Sequence, residues 1–305
     1  MKINKTYHYL LMLIVFVQAA YMAGCGSKQT DVVVDVRQDV KAYNIRGNKL
    51  YWQGDYQGAA KAYDRAYLLA LSVDDLKGTA ESLNNLGQLY LIAKDHSSAR
   101  QKFEQAYNIN KEVDFQNGMA ANLNNLGILE LKLENLNAAK TNFEKALELY
   151  RQAEKRAGIA SATNNLGLVA FEQHQDDEAR SKYLAAQSVA KDLKNHHLIA
   201  TTYQNLAKIE ERQGNYSQAL QNYAQALEED RLVEYSPGIA QDLESLGRME
   251  ERLGNKDRAE DYYKRALAIN TQLGFKNEMI SNLQNLMRVS KNKSYQAQLK
   301  KLTID

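Results

Sequence analysis

Five asparagines recur at one position of this chain: Asn85, Asn125, Asn165, Asn205 and Asn285, with Ser245 in the sixth place. A side-chain amide offers both a donor and an acceptor, so a row of amides suits the backbone of an extended peptide. The residue three places on drifts from Gln88 to Ile128, Leu168, Lys208, Arg248 and Arg288. Duplication alone therefore does not account for the asparagines. Asn is also about 0.6 kcal/mol poorer than Ala inside a helix, so something offsets its presence. Two roles fit, amides presented to a ligand or amides bridging one unit to the next.

The neighbouring positions suggest polarity along such a row. Ile128, Leu131, Leu168 and Phe171 form an apolar centre, and Lys208, Arg212, Arg248, Arg252, Arg288 and Lys291 follow as a basic stretch. A ligand segment with apolar anchors, then acidic residues or a terminal carboxylate, would match that order. The competing expectations are packing between units for the apolar residues and a solvated face for the basic ones. Glu244 and Arg248 are spaced as an i,i+4 pair, and Glu211 and Glu251 dilute the charge.

Chemistry of other kinds finds no support. The one cysteine, Cys25, lies near the N-terminus, and there is no H-E-x-x-H, Gly-rich phosphate loop or G-x-S-x-G. His196 and His197 are adjacent at a turn, an arrangement that rarely converges on one metal and reads as a solvated loop. Carboxylates look scattered over helix surfaces, with no pair set apart in an apolar pocket. The reading is a protein that is not an enzyme and takes no cofactor, metal or small-molecule substrate. A clustered acid–base pair in the fold would reopen that question.

The elements that position the asparagines follow from the motif around them. Asn84-Asn85-Leu86-Gly87 returns at 124–127 and 164–167, more loosely at 204–207, 244–247 and 284–287, and in worn form at Asn44-Ile45-Arg46-Gly47. The step is 40 residues without a break, the signature of a stack of repeated units. Leu83, Leu86, Gly87 and Tyr90 make one helical stripe, and Ala99, Phe103 and Ala106 make a second on a second helix. Ala139-Phe143-Ala146, Ala179-Tyr183-Ala186, Ala219-Tyr223-Ala226 and Ala259-Tyr263-Ala266 repeat the second stripe, with Ala59-Tyr63-Ala66 in the first unit. Glu81, Asn85, Gln88 and Ile92 share the face opposite the buried stripe, which places them on the concave side of a stack. The turns Gly54-Asp55, Glu134-Asn135, His174-Gln175, Gly214-Asn215 and Gly254-Asn255 end the first helices, Gly and Asn supplying the left-handed conformation. One Pro and 16 Gly in 305 residues leave few breakers.

This frame of small and aromatic positions resembles the tetratricopeptide repeat across residues 40–290. The 40-residue version is similar to the arrays of kinesin light chain, spindle-orientation adaptors and Gram-positive peptide-pheromone receptors. The resemblance implies an all-α, right-handed superhelical solenoid of about six helical hairpins with a C-terminal capping helix pair. It also implies a peptide-binding role for Asn85, Asn125, Asn165, Asn205 and Asn285, because the related arrays use Asn in that way. Arg46 at the buried Leu position and Met287 at the small position mark the atypical end units, and 293–302 reads as a short capping helix.

The N-terminus reads as an address. Lys2 and Lys5 precede the apolar run Leu10–Val17, then Ala23 and Gly24, as in a secretory leader. Met22-Ala23-Gly24-Cys25 resembles the lipobox of bacterial lipoproteins, which implies cleavage before Cys25 and lipidation of its thiol. Acyl chains at about 0.8 kcal/mol per buried CH₂ would hold the chain on a membrane. Gly26, in place of the aspartate that signals inner-membrane retention, points by that resemblance to the periplasmic face of the outer membrane. Loss of the leader leaves 37 Lys+Arg against 37 Asp+Glu, without the global field that non-specific nucleic-acid binding needs.

The expected layout is a leader at 1–24, a lipidated Cys25 and tether at 25–35, and the array at 36–305. Its units are 36–73, 74–113, 114–153, 154–193, 194–233 and 234–273, with a cap at 274–305. Such a chain is an envelope adaptor gripping an extended segment of a partner protein. The alternative is a pilotin-like or scaffold subunit of a secretion, pilus or cell-wall complex, packed through its convex face. Outward positions on the second helices, such as Gln101, Lys102, Gln105, Lys140, Asn142 and Lys145, are polar, which favours the groove.

Overall fold

A computed structural model describes residues 32–304. The leader, Cys25 and residues 26–31 of the expected tether lie outside the described residues, while residues 32–35 already belong to the first helix. Fourteen helices and no strand occur among the described residues. Helix α1 covers 32–52, followed by α2 (Tyr56–Ser72), α3 (Leu76–Ile92), α4 (His96–Glu112), α5 (Gln116–Lys132), α6 (Leu136–Gln152) and α7 (Arg156–Glu172). Then come α8 (Asp176–Asp192), α9 (His196–Arg212), α10 (Tyr216–Leu232), α11 (Ser236–Arg252), α12 (Lys256–Leu273), α13 (Lys276–Val289) and α14 (Ser294–Ile304). The pairs α1–α2 to α11–α12 are six hairpins, and α13–α14 is the cap. Met287, 39% exposed in the cap, has no full second helix pressing on it.

From α2 to α13 a helix begins every 20 residues because the twelve junctions from α1–α2 to α12–α13 use the same device. One residue enters the left-handed region, and the next caps the following helix. Gly54, Lys94, Glu134, His174, Gly214 and Gly254 do so within hairpins, and Asp74, Asp114, Glu154, Lys194, Glu234 and Gly274 between them. Asp55, Asp75, Asp95 and Asn195 then accept from the backbone N–H three residues on, a cap worth about 1 kcal/mol. The expectation that Gly and Asn supply the left-handed turns holds at Gly54, Gly214 and Gly254 and is corrected at the other two turns. Glu134 and His174 take the left-handed conformation themselves, while Asn135 and Gln175 stand at the N-cap positions.

The core runs through the stack as a chain of small clusters. In one, Ala99 and Phe103 of α4 meet Leu126 and Leu129 of α5. In the next, Ala139 and Phe143 of α6 meet Leu166 and Val169 of α7. Each second-helix aromatic thus seats the first helix of the following unit. Alternate first helices also touch, α3 with α5, α5 with α7 and α7 with α9. First helices therefore line the inner, concave side, and second helices form the outer one. No helix among the described residues is long and apolar enough to cross a membrane.

Candidate functional site

The asparagine row is a set of bridges between units. Asn85 Nδ2 donates to Asn44 Oδ1 (3.3 Å), Asn125 to Asn84 (2.8 Å), Asn165 to Asn124 (2.8 Å) and Asn205 to Asn164 (3.0 Å). Asn285 donates to Glu244 Oε1 (3.1 Å). Asn165 and Asn205 are buried at 6% and 3% exposure, whereas Asn85, Asn125 and Asn285 are half-buried. The bridging role explains why asparagine recurs at a cost in helix propensity. It also corrects the expectation of amides standing clear of the packing. The Oδ1 atoms of Asn85 and Asn125 accept no hydrogen bond among the described residues, so these two keep an acceptor on the inner face.

The basic residues divide in the same way. Arg248 makes two hydrogen bonds to Glu211 (2.9 and 3.0 Å), and Arg288 makes two to Glu251 (both 2.9 Å). The carboxylates also accept from Tyr223 and Tyr263. Arg212 is paired with Asp176, donates to the Phe171 carbonyl, and lies over the Phe171 ring. Three of the expected ligand-binding guanidiniums are thus committed to carboxylates. Sequence spacing hid this, because each pair spans 36 or 37 residues, one unit apart on neighbouring helices.

Lys208 and Arg252 remain without a carboxylate partner among the described residues. Together with Phe171, Glu211, Arg212 and Tyr216 they line an inner cavity of about 380 Å³. Burial holds the Lys208 ammonium below the usual lysine range, with Arg248 and Lys132 adding to the effect and Glu172 and Glu211 opposing it. Arg252 lies over the Tyr216 ring, 5.9 Å from its centroid. A second inner cavity, about 530 Å³, is lined by Tyr51, Gln88, Leu91, Ile92, Lys94, His96, Asn125, Ile128 and Lys132. Ile128 and Leu131 pack between units against the Phe143–Leu166 cluster, and Leu168 and Phe171 against the Tyr183–Leu206 cluster. All four are half-buried. The apolar centre is therefore mostly packing, with Ile128 and Phe171 still reaching a cavity.

A larger cavity, about 860 Å³, opens on the outer side between α8 and α10, where Arg180 is already paired with Glu210 at 2.6 Å. Outer positions Gln101, Gln105, Lys140 and Lys145 are exposed, whereas Lys102 and Asn142 are half-buried. Exposed apolar side chains are scattered over the second helices, Leu68 and Leu71 on α2 being the nearest in sequence.

Two further corrections concern titratable groups. His197 is only partly solvated, its Nδ1 being turned inward. Its ring meets Trp52 (4.5 Å between centroids) and Tyr235 (5.3 Å), and burial pushes its pKa down to about 4. His196 holds Glu229 at 2.6 Å. A buried carboxyl pair does exist, Asp230 at 1% exposure and Asp242 at 0%. Gln204 Nε2 donates to Asp242 (2.8 Å) and more distantly to Asp230 (3.5 Å). Asp230 Oδ1 and Asp242 Oδ2 have no hydrogen-bond partner. The pair lines none of the inner or outer cavities above, so no substrate reaches it along them. The 40-residue register could have revealed it: Asn110–Asn122 and Asn270–Asn282 occupy the same two columns. Among the described residues, no three His, Cys, Asp or Glu side chains are placed to hold a metal ion.

Comparison with known proteins agrees with the repeat geometry. The family model described as "Tetratricopeptide repeat" matches residues 39–112, 118–192, 158–231 and 198–272. No curated protein matches the sequence. Among solved structures, the Rap conjugation gene regulator of plasmid pLS20, in complex with the Phr* peptide, aligns with a TM-score of 0.65 at 13% identity. That alignment covers 88% of this chain and 83% of the other. A Rap protein complexed with Competence and Sporulation Factor gives 0.60 at 18% identity, covering 87% and 76%. BtubC (BKLC) from P. vanneervenii gives 0.53 at 17% identity, covering 74% and 92%. At these identities the likeness is one of fold.

Proposed function

This chain belongs to the tetratricopeptide repeat family, and from that premise we propose a lipid-anchored adaptor that holds an extended segment of another envelope protein along its inner face. The observation that carries the reading is the Lys208–Arg252 cavity. Lys208 and Arg252, neither in a salt bridge among the described residues, line it together with the Phe171 and Tyr216 rings and with Glu211, which is engaged by Arg248. The Lys208 ammonium is half-buried and Glu172 and Glu211 only partly offset its desolvation, so a further anion would lower the cost. An acidic side chain or terminal carboxylate of an extended segment would supply that anion. Upstream, the free Oδ1 acceptors of Asn85 and Asn125 can receive backbone N–H groups, and Ile128 and Phe171 present apolar surface. The Rap structure with the Phr* peptide offers a precedent for a peptide on this fold.

Crosslinking in cells tests the groove. A photoreactive residue at Gln88, on a first helix, is expected to capture the partner, and one at Gln101 or Lys145, on second helices, is not. Lys208→Glu should weaken capture from Gln88 about tenfold or more, corresponding to about 1.4 kcal/mol. Capture from the outer positions alone would instead support the packing subunit.

The membrane side of the proposal rests on the lipobox-like Met22–Cys25 and on Cys25 being the only cysteine. The proposed location is the bacterial outer membrane, facing the periplasm. With Cys25→Ser, the chain is expected to leave the detergent phase on phase partitioning, while the wild type enters it. Equal partitioning of both would remove the anchor.

A further inference from the structure

A solenoid normally contacts only itself one unit away, yet the first hairpin of this array touches units five, six and seven. Trp52, at the end of α1, is edge-on to His197 (4.5 Å, 85° between planes) and to Tyr235 (5.1 Å, 71°). Tyr56, the first residue of α2, stacks on Phe275 at 5.4 Å with 10° between planes. Between them, a Cβ on Gly54 would stand 2.8 Å from Leu273 and 3.4 Å from Phe275. His197, Tyr235 and Phe275 lie at three successive junctions, those that open α9, α11 and α13.

The two sides of this contact are opposite edges of the array. Residues 52–56 form a turn within a hairpin, and the residues they meet belong to turns between hairpins. Opposite edges meet only if the array completes a turn and comes to lie against its own beginning. The slot between successive turns is then walled off at that point, and the inner face lies within a closed tube. The chemistry of the contact differs from that of the unit interfaces. Unit interfaces carry amide bridges and two-point ion pairs. No hydrogen bond or salt bridge joins residues 51–56 to those around 197, 235 and 275 among the described residues. Parting them strands no polar group, whereas parting two units would.

We propose that this contact is a releasable aromatic seam: closed, it shuts the lateral slot to the inner face, and open, it admits an extended chain segment sideways. Admission rests on the groove-binding reading above, but the seam itself stands on the contacts alone. A segment with bulky or folded ends cannot thread a closed tube, so seam opening would precede capture of an internal segment.

Trp52 is the only tryptophan, so its fluorescence reports the seam directly and without a ligand. In the full chain, Tyr235→Ala and Phe275→Ala are each expected to red-shift Trp52 emission. Each should also raise its quenching by acrylamide about twofold or more, with the helical circular dichroism unchanged. In urea, wild-type Trp52 emission should shift before helix is lost. Trp52 as open to quencher in the wild type as in both variants would overturn the seam, and emission moving with helicity at one midpoint would overturn its release. If the seam behaves as expected while crosslinking from Gln88 fails, the groove reading falls and the seam stands.

Discussion

Gly87→Leu is expected to be among the most destabilising single substitutions on the first helices, costing about 1–3 kcal/mol or more. A Cβ at Gly87 would lie 2.5 Å from Cε1 and 2.7 Å from Cδ1 of Phe103. Phe103 is fully buried and wedged against Leu126 and Leu129 of the next unit, so the ring has nowhere to retreat. The same approach recurs at Gly47 and Tyr63, Gly127 and Phe143, Gly167 and Tyr183, and Gly247 and Tyr263. Gly87→Ala separates sterics from propensity. In an open helix it would gain about 1 kcal/mol, and here it should lose stability. Combined with Phe103→Leu, which withdraws the ring, Gly87→Ala should recover part of that loss. Urea unfolding of the two single variants and the double variant gives the coupling energy. Additive effects would show that the ring does not set the glycine. Because the stack is held by neighbour contacts, the damage should spread first into units two and three.

The five glycine–aromatic pairs also show what was legible beforehand. Their members sit 16 residues apart in every unit, a spacing read directly from a 40-residue period, so hairpins, unit count and cap followed. The asparagine column was equally visible, but its partner was not. Asn125 bonds to Asn84, 41 residues back on a neighbouring helix, and a helical-wheel reading sees only one helix. The pairs Arg248–Glu211 and Arg288–Glu251 were concealed for the same reason, which made the groove look more basic than it is. The Trp52 contacts depend on the accumulated turn of several units, and no local pattern encodes them. What survives as a candidate site is the residue left over, Lys208 with Arg252, in the cavity where repeat-to-repeat pairing falls short.

The second large effect concerns Asp230 and Asp242. Between units two and three, and between unit six and the cap, the equivalent columns hold Asn110 donating to Asn122 and Asn270 donating to Asn282, both at 2.7 Å. Aspartates in those columns bring two acceptors together with only the Gln204 amide donating to them, which favours retention of a proton. Burial pushes Asp242 up to about 8, with Asp230 adding repulsion and Gln204 opposing. Burial pushes Asp230 up to about 7, helped by Glu229. The charged or titratable groups around the pair are His197, whose Nδ1 is 4.0 Å from Asp230 Oδ1, Tyr235, and Glu229, which is engaged by His196. With folded values above the unfolded 3.8, the native state holds more protons through the interval from about 4 to 8. Stability therefore falls as pH rises across it, by about 1.4 kcal/mol per unit for each group still binding its extra proton. His197 acts in the opposite sense. Its folded value of about 4 lies below the usual 6.5, so its contribution grows as pH rises from 4 to 6.5 and is constant above. Nothing in this cluster then offsets the aspartates between pH 6.5 and 8, and the steepest loss of stability belongs there. Replacing both by Asn rebuilds the amide pair of the neighbouring units and removes the titration. Thermal melts of the wild type should drop between pH 6.5 and 8, whereas Asp230→Asn with Asp242→Asn should stay nearly level and be the more stable at pH 9 by several kcal/mol. A wild type whose stability is flat through that interval would mean that the two carboxyls ionise freely and the pair is not closed to water.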